Sequence, residues 1–125
     1  RNPPMSQPAT ILLVDDSRAS RMLCAAVMRG QRPGIQLLEA GDGASAIALL
    51  EDVHPDLAVL DMNMPGISGM ELAERLRVSH PGMKLAFLTA NLQEAVQIRA
   101  AALGVHFFRK PIGEAVIADI LALLE

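Results

Sequence analysis

The sequence holds no tryptophan, no tyrosine and only three phenylalanines. Modules that stack bases or sugars on aromatic platforms are disfavoured by that scarcity. A single cysteine, Cys24, cannot form an internal disulfide, and a reducing compartment is the default for such a chain. No apolar run approaches the roughly 18–20 residues that cross a bilayer, and no signal peptide is visible, so the reading is cytoplasmic with no membrane partner. There is no lysine or arginine cluster either: 11 basic residues stand against 14 acidic ones, a net charge of −3. Direct nucleic-acid binding is therefore not expected. What is present is 51% hydrophobic residues over 125 positions, enough for the core of one domain and too much for a disordered chain.

The opening stretch, Arg1 to Pro8, is polar and proline-rich and starts no periodic pattern. Residues 1–8 read as a disordered tail, with Arg1–Pro4 as a cloning remnant before Met5, and residues 9–125 as the folded domain. Five short apolar runs follow, at Thr10–Val14, Ile35–Glu39, Asp56–Leu60, Lys84–Leu88 and His106–Arg109. Their nearly continuous apolar character suits parallel strands buried on both faces. Helical spacing fills the gaps, within Ser17–Arg29, Ala44–Val53, Ser68–Ser79, Leu92–Leu103 and Glu114–Leu124. Breakers such as Gly41-Asp42-Gly43, Met64-Pro65-Gly66 and Lys110-Pro111 separate them. The alternation has a period of roughly 22 residues without a shared template, so it is a βα succession rather than a solenoid. Right-handed crossovers turn such a succession into an open α/β sheet, doubly wound, with its site at the carboxyl ends of the strands.

Polar residues gather at those ends. Asp15 and Asp16 follow the first strand, Asp61 the third, Thr89 closes the fourth, and Lys110-Pro111 follow the fifth. Close carboxylates repel one another unless a cation screens them. Oxygen-only donors suit Mg²⁺, with Mn²⁺ as a substitute, whereas His54, His80 and His106 lie too far apart in sequence to suggest zinc. A metal beside Asp61, with Lys110 and Thr89 to bind further anionic oxygens, makes a site for phosphoryl transfer onto a carboxylate. Each residue also has a plain alternative. Asp16 could equally be a helix N-cap, Asp61 a turn-former, Lys110 a surface lysine and Thr89 a strand-end hydroxyl. Their joint placement on four strand ends favours the chemical reading.

With Ile11-Leu12-Leu13-Val14-Asp15-Asp16-Ser17, Leu60-Asp61-Met62-Asn63-Met64-Pro65-Gly66, Leu88-Thr89-Ala90 and Phe107-Phe108-Arg109-Lys110-Pro111 in order, the chain resembles the receiver domain of two-component response regulators, including the stand-alone chemotaxis type. The resemblance runs from about Thr10 to the C-terminus. It implies a flavodoxin-like five-stranded parallel sheet in the order 2-1-3-4-5. It implies that Asp61 takes a phosphoryl group from a sensor histidine kinase or phosphotransfer protein. Asp16, Asp61 and the backbone carbonyl of Asn63 would hold Mg²⁺, with Asp15 acting through water. Lys110 would pair with the phosphoryl oxygens, Thr89 would swing in to bond one of them, and Phe107 would couple that movement to the face of helix 4, strand 5 and helix 5. The Lys110–Pro111 bond would be cis. The chain would catalyse only its own phosphorylation and dephosphorylation.

Departures carry information too. Ile67-Ser68-Gly69 stands where the family often has Met-Asp-Gly, with Ser68 able to cap the helix. Asn63 and Asn91 flank the path of a hydrolytic water and neither is a general base, so slow to moderate self-dephosphorylation is expected. Helix 5 lacks the basic residues of the winged-helix transcription factors, and its apolar run Ala115–Ala118 and Ile120–Leu124 suggests an output partner or second subunit packed on its outer side. A haloacid-dehalogenase-type phosphatase would carry its nucleophile after the first strand, and a flavin binder would not put acidic residues there. A phosphorylation-independent pseudo-receiver, acting as a protein–protein interaction module, is the remaining alternative.

Overall fold

The computed structural model describes residues 8–125, and the expected disordered tail lies, as far as residue 7, outside the described residues. Five strands form one parallel sheet: β1 (Thr10–Val14), β2 (Gln36–Ala40), β3 (Leu57–Leu60), β4 (Lys84–Thr89) and β5 (His106–Arg109). Their order is β2-β1-β3-β4-β5, as expected of a flavodoxin-like sheet. The helices are α1 (Arg18–Gln31), α2 (Gly43–Leu49), α3 (Gly69–Ser79), α4 (Glu94–Ala102) and α5 (Glu114–Leu121), the last closing in a short 3₁₀ turn over Ala122–Leu124. Among the described residues no helix is long and apolar enough to cross a membrane.

The strands sort their side chains by the two-residue period of extended backbone. Leu12, Val14, Ala58, Leu60, Leu85 and Phe87 face one side and pack with Ala46, Leu50, Leu72, Leu76 and Ala100 of α2, α3 and α4. Ile11, Leu13, Val59, Ala86 and Leu88 face the other and meet Cys24, Met28, Ile117, Ile120 and Leu121 of α1 and α5. Burying each large side chain contributes about 1.5–3 kcal/mol, so these two layers dominate the stability. β3 is buried throughout, and β1 and β4 are buried beyond their first residues, Thr10 and Lys84. β2 and β5 are edge strands with half-exposed positions, which corrects the expectation that all five runs are covered on both faces.

Element boundaries differ from the expected ones where polar groups intervene. α4 begins at Glu94, two residues late, because the Asn91 side chain accepts the Gln93 N–H and the Thr89 hydroxyl accepts the Asn91 N–H. Those bonds hold residues 90–93 in a loop. α2 stops at Leu49 rather than Val53, with Leu50 as its C-cap and turns through Glu51 and Asp52 before the Pro55 break. Ser17 is the N-cap of α1 and Ser68 of α3, each accepting a backbone N–H from three residues on, at 3.2 and 3.1 Å. That excludes the N-cap reading of Asp16, which caps nothing, and meets the expectation for Ser68. The outer side of α5 carries Ala115, Ala118, Asp119 and Ala122, while its large apolar residues point inward. The large apolar side chains left exposed are on other helices and loops: Met22, Leu23, Val78, Leu92 and Ile98.

Candidate functional site

In this strand order the chain leaves β1 and β3, which lie side by side, toward opposite edges of the sheet, and a crevice opens above their carboxyl ends. Asp15, Asp16 and Asp61 stand at that crevice. Each offers a carboxylate oxygen, and these oxygens lie within 4.8 Å of one another. Asp15 is buried, Asp61 half-buried and Asp16 exposed, so the cluster is open to solvent from one side.

Each carboxylate is anchored by its own loop. Asp15 accepts the Ser17 N–H at 2.9 Å, and Asp61 accepts the Met62 N–H at 2.7 Å. Lys110 reaches across from the end of β5 to Asp15 at 3.0 Å and to Asp61 at 3.4 Å. Its ammonium is therefore pinned between two acids rather than free at the surface. Burial alone pulls the Lys110 pKa down, but the hydrogen bond to Asp15 and the charges of Asp61 and Asp15 outweigh it and leave the value raised. The Lys110–Pro111 peptide is cis, as the resemblance implies.

Thr89 is almost fully buried at the end of β4, and its hydroxyl accepts the Asn91 N–H at 3.0 Å. The Asn91 amide in turn donates to the Asn63 side chain at 3.3 Å, tying the loop after β4 to the loop after β3. Phe107 pairs in register with Phe87 and lies half-buried against the layer of α2, α3 and α4. Asp15, Asp16, Asp61, Asn63, Thr89 and Lys110 thus share one rim, with Phe107 on the strand beside Phe87.

Two supports of the rim escaped sequence reasoning. Arg21 of α1 donates to the backbone carbonyl of Asp15 and pairs with Glu39 at 3.0 Å, fastening β1 to β2. Nothing local to Arg21 signals this, because both partners come from other elements. Gly69 opens α3 with its Cα against the backbone of Asp61, and its N–H donates to the Met62 carbonyl at 2.8 Å. A Cβ there would lie 2.1 Å from the Asp61 carbonyl oxygen. The available signal was a glycine at the first helical position, where few helices gain from one.

The histidines need a correction. His54 and His80, far apart in sequence, bring their rings to a centroid separation of 5.6 Å at the opposite end of the sheet. Among the described residues they gain no third His, Cys or carboxylate ligand, and the only such cluster is the aspartate one.

A parallel sheet in this order, with three aspartates and a lysine converging on its rim, defines a flavodoxin-like α/β module with an acidic site at the carboxyl ends of its strands. The model of the response regulator receiver domain matches residues 11–122, and the chain belongs to that family. The probable transcriptional regulatory protein TcrX of Mycobacterium tuberculosis is 37% identical over 122 residues, covering 94% of this chain and 50% of that protein. Sporulation initiation phosphotransferase F of Bacillus subtilis is 34% identical over 80 residues, covering 64% of this chain and 63% of that protein. The chain spans about half the length of the transcriptional relatives it matches. Among solved structures, a CheY-like receiver domain protein from Methanospirillum hungatei superposes with a TM-score of 0.87 at 23% identity, over 94% of both chains. The chemotaxis regulator CheY4 of Vibrio cholerae gives 0.82 at 24% identity, over 95% of this chain and all of that one. The family's proteins work between sensor kinases and output effectors in two-component systems.

Proposed function

We propose that this chain is a phosphoacceptor switch: Asp61 takes a phosphoryl group from the phosphohistidine of a sensor kinase or phosphotransfer protein, in the cytoplasm. The observation that carries this reading is the position of Lys110, bonded at once to Asp15 and Asp61 within a cluster of three carboxylates that is open to solvent at Asp16. A lone acidic cluster is common, but a cation held between its members is built to receive further negative charge.

A carboxylate oxygen of Asp61 attacks phosphorus in line with the departing imidazole nitrogen. The P–O bond forms as the P–N bond breaks, and the imidazole leaves with its electron pair and takes a proton from water. Lys110, already beside Asp61, hydrogen-bonds the phosphoryl oxygens as they arrive. The carboxylate cluster of Asp15, Asp16 and Asp61 is an all-oxygen donor set that fits Mg²⁺ or Mn²⁺; Asp16, Asp61 and the Asn63 carbonyl would hold the ion, and Asp15 would act through water. When bound, the cation supplies neutralisation of the phosphoryl charge.

Phosphorylation adds roughly 1.5–2 negative charges at this point. The Thr89 hydroxyl exchanges its bond to the Asn91 N–H for one to a phosphoryl oxygen, and Phe107 repacks beside it. The readout is the face of α4, β5 and α5, where Ile98 offers exposed apolar surface to an output partner or second subunit. Driving a mostly inactive ensemble to a mostly active one takes roughly 5 kcal/mol of preference for the active form. Asn63 and Asn91, amides bonded to each other, supply no general base, so the phosphoryl group decays slowly and no other substrate is turned over. The pseudo-receiver reading is not favoured by a rim that gathers three carboxylates and a lysine.

Intact mass after incubation with Mg²⁺ and acetyl phosphate tests this directly. One phosphoryl adduct, absent with EDTA and in Asp61→Ala, is expected. No adduct in the folded parent protein, with a second small donor also failing, overturns it. A phosphoryl half-life of seconds or less contradicts the role given to the two asparagines.

A further inference from the structure

At the end of the sheet away from the aspartates, the amino ends of β1, β3 and β4 floor an open groove of about 720 Å³. Arg32, Lys84, His54 and His80 line it, with Asp56 and Ser79 between them. The two cations come from different elements, Arg32 from the end of α1 and Lys84 from the start of β4. Arg32 donates to the Leu121 carbonyl at 3.3 Å and pairs with Glu125, and Lys84 donates to the Leu123 carbonyl. These contacts hold both heads at the groove and leave N–H groups over, since a guanidinium has five and an ammonium three. Asp56 accepts the Thr10 N–H at 2.9 Å, so part of its charge is already matched. His80 shares its Nδ1 with the Ser79 hydroxyl at 2.8 Å, which leaves Nε2 for a ligand, and the His54 ring stands beside it.

A metal is the weaker candidate for this place. Structural and catalytic zinc sites take three or four protein ligands, and the histidine pair has no third among the described residues. An anion with several acceptor oxygens matches better, because cations and imidazole N–H groups approach from separate elements. The groove is open and leaves room beside a phosphate for the group esterified to it.

We infer that this groove is a second anion site, distinct from the phosphoacceptor rim, and that it takes the phosphate of a small phosphomonoester, with Lys84 and Arg32 on the phosphate oxygens and the paired imidazoles beside them. The test is a series of ¹H–¹⁵N NMR titrations of the whole chain without Mg²⁺, using adenosine monophosphate, inorganic phosphate and adenosine as probes. Saturable shifts at His54, His80, Gly82 and Lys84 are expected with adenosine monophosphate, and none with adenosine. Lys84→Glu reverses a charge at the phosphate and is expected to weaken binding about tenfold or more. His80→Gln, which leaves the cations in place, is expected to weaken it severalfold. Equal affinity for inorganic phosphate makes the free ion the recognised species, and tighter binding of the monophosphate makes it the ester. Failure of both phosphate probes to bind, shifts centred on Asp61 instead, or affinity unchanged in both variants overturns the inference.

Discussion

Replacing Gly69 by alanine is the sharpest test of how the rim is built. A Cβ at Gly69 falls 2.1 Å from the Asp61 carbonyl oxygen and 2.7 Å from the Met62 Cα, both backbone atoms that cannot rotate away. Even close C–H···O contacts settle at about 3.3 Å, so the overlap exceeds about 1 Å. Either α3 retreats from the sheet or the loop carrying Asp61 moves. Overpacking against side chains costs about 1–3 kcal/mol, and against fixed backbone the upper end or more is expected. For a domain of this size, about 3 kcal/mol lowers the melting temperature by about 10 °C. Urea titration reads the stability, and the rate of phosphorylation by acetyl phosphate reads the position of Asp61. Gly82→Ala is the control, since a Cβ there meets nothing within 4 Å. It is expected within about 0.5 kcal/mol of the parent. Gly69→Ala giving the same small change, with an unaltered denaturant slope, refutes the reasoning.

Other consequences are equally direct. Lys110→Ala is expected to abolish the phosphoryl adduct yet bind Mg²⁺ severalfold more tightly, because a positive charge leaves the carboxylate cluster; weaker Mg²⁺ binding by calorimetry contradicts this. Arg77 donates to the carbonyls of Leu103, Met83 and Gly104 at 2.8–2.9 Å, so Arg77→Ala strands three acceptors and is expected to cost about 2–3 kcal/mol in urea unfolding. A cost under about 0.5 kcal/mol shows that water replaces it. Burial, followed by the charge of Asp15, pushes the Cys24 thiol from its ordinary 9.0 up to about 12. Below pH 9 both folded and unfolded chains hold that proton. Above it the unfolded chain loses the proton first, so stability falls with rising pH by about 1 kcal/mol per unit toward pH 12. A Cys24→Ser variant with the same alkaline slope removes the thiol as its cause.

Much of this was legible in the sequence because it is local. Short apolar runs and breakers place the strands and helices, and a parallel sheet then forces Asp15, Asp61, Thr89 and Lys110 onto one rim. What could not be read depends on partners from other elements. Nothing around Arg77 in the chain signals its role, because the carbonyls it binds come from the loop after α4 and from the turn before β4. His54 and His80 are neighbours only because the turns before β3 and β4 lie side by side. The exposure of β2 and β5 follows from strand order, which composition does not encode. The outer side of α5 illustrates the limit of counting apolar residues. Its run is long, but the helical period sends the large side chains to the sheet and the alanines outward.

The central claim is that the phosphoryl group sits on Asp61. Borohydride reduction of the chain after acetyl phosphate and Mg²⁺ treatment converts an aspartyl phosphate to homoserine, and tandem mass spectrometry locates the new residue. Homoserine at position 61, and at neither 15 nor 16, is the expected result. Reduction at another aspartate, or a phosphoryl group that resists borohydride and maps to Ser17 or Thr89, contradicts the account.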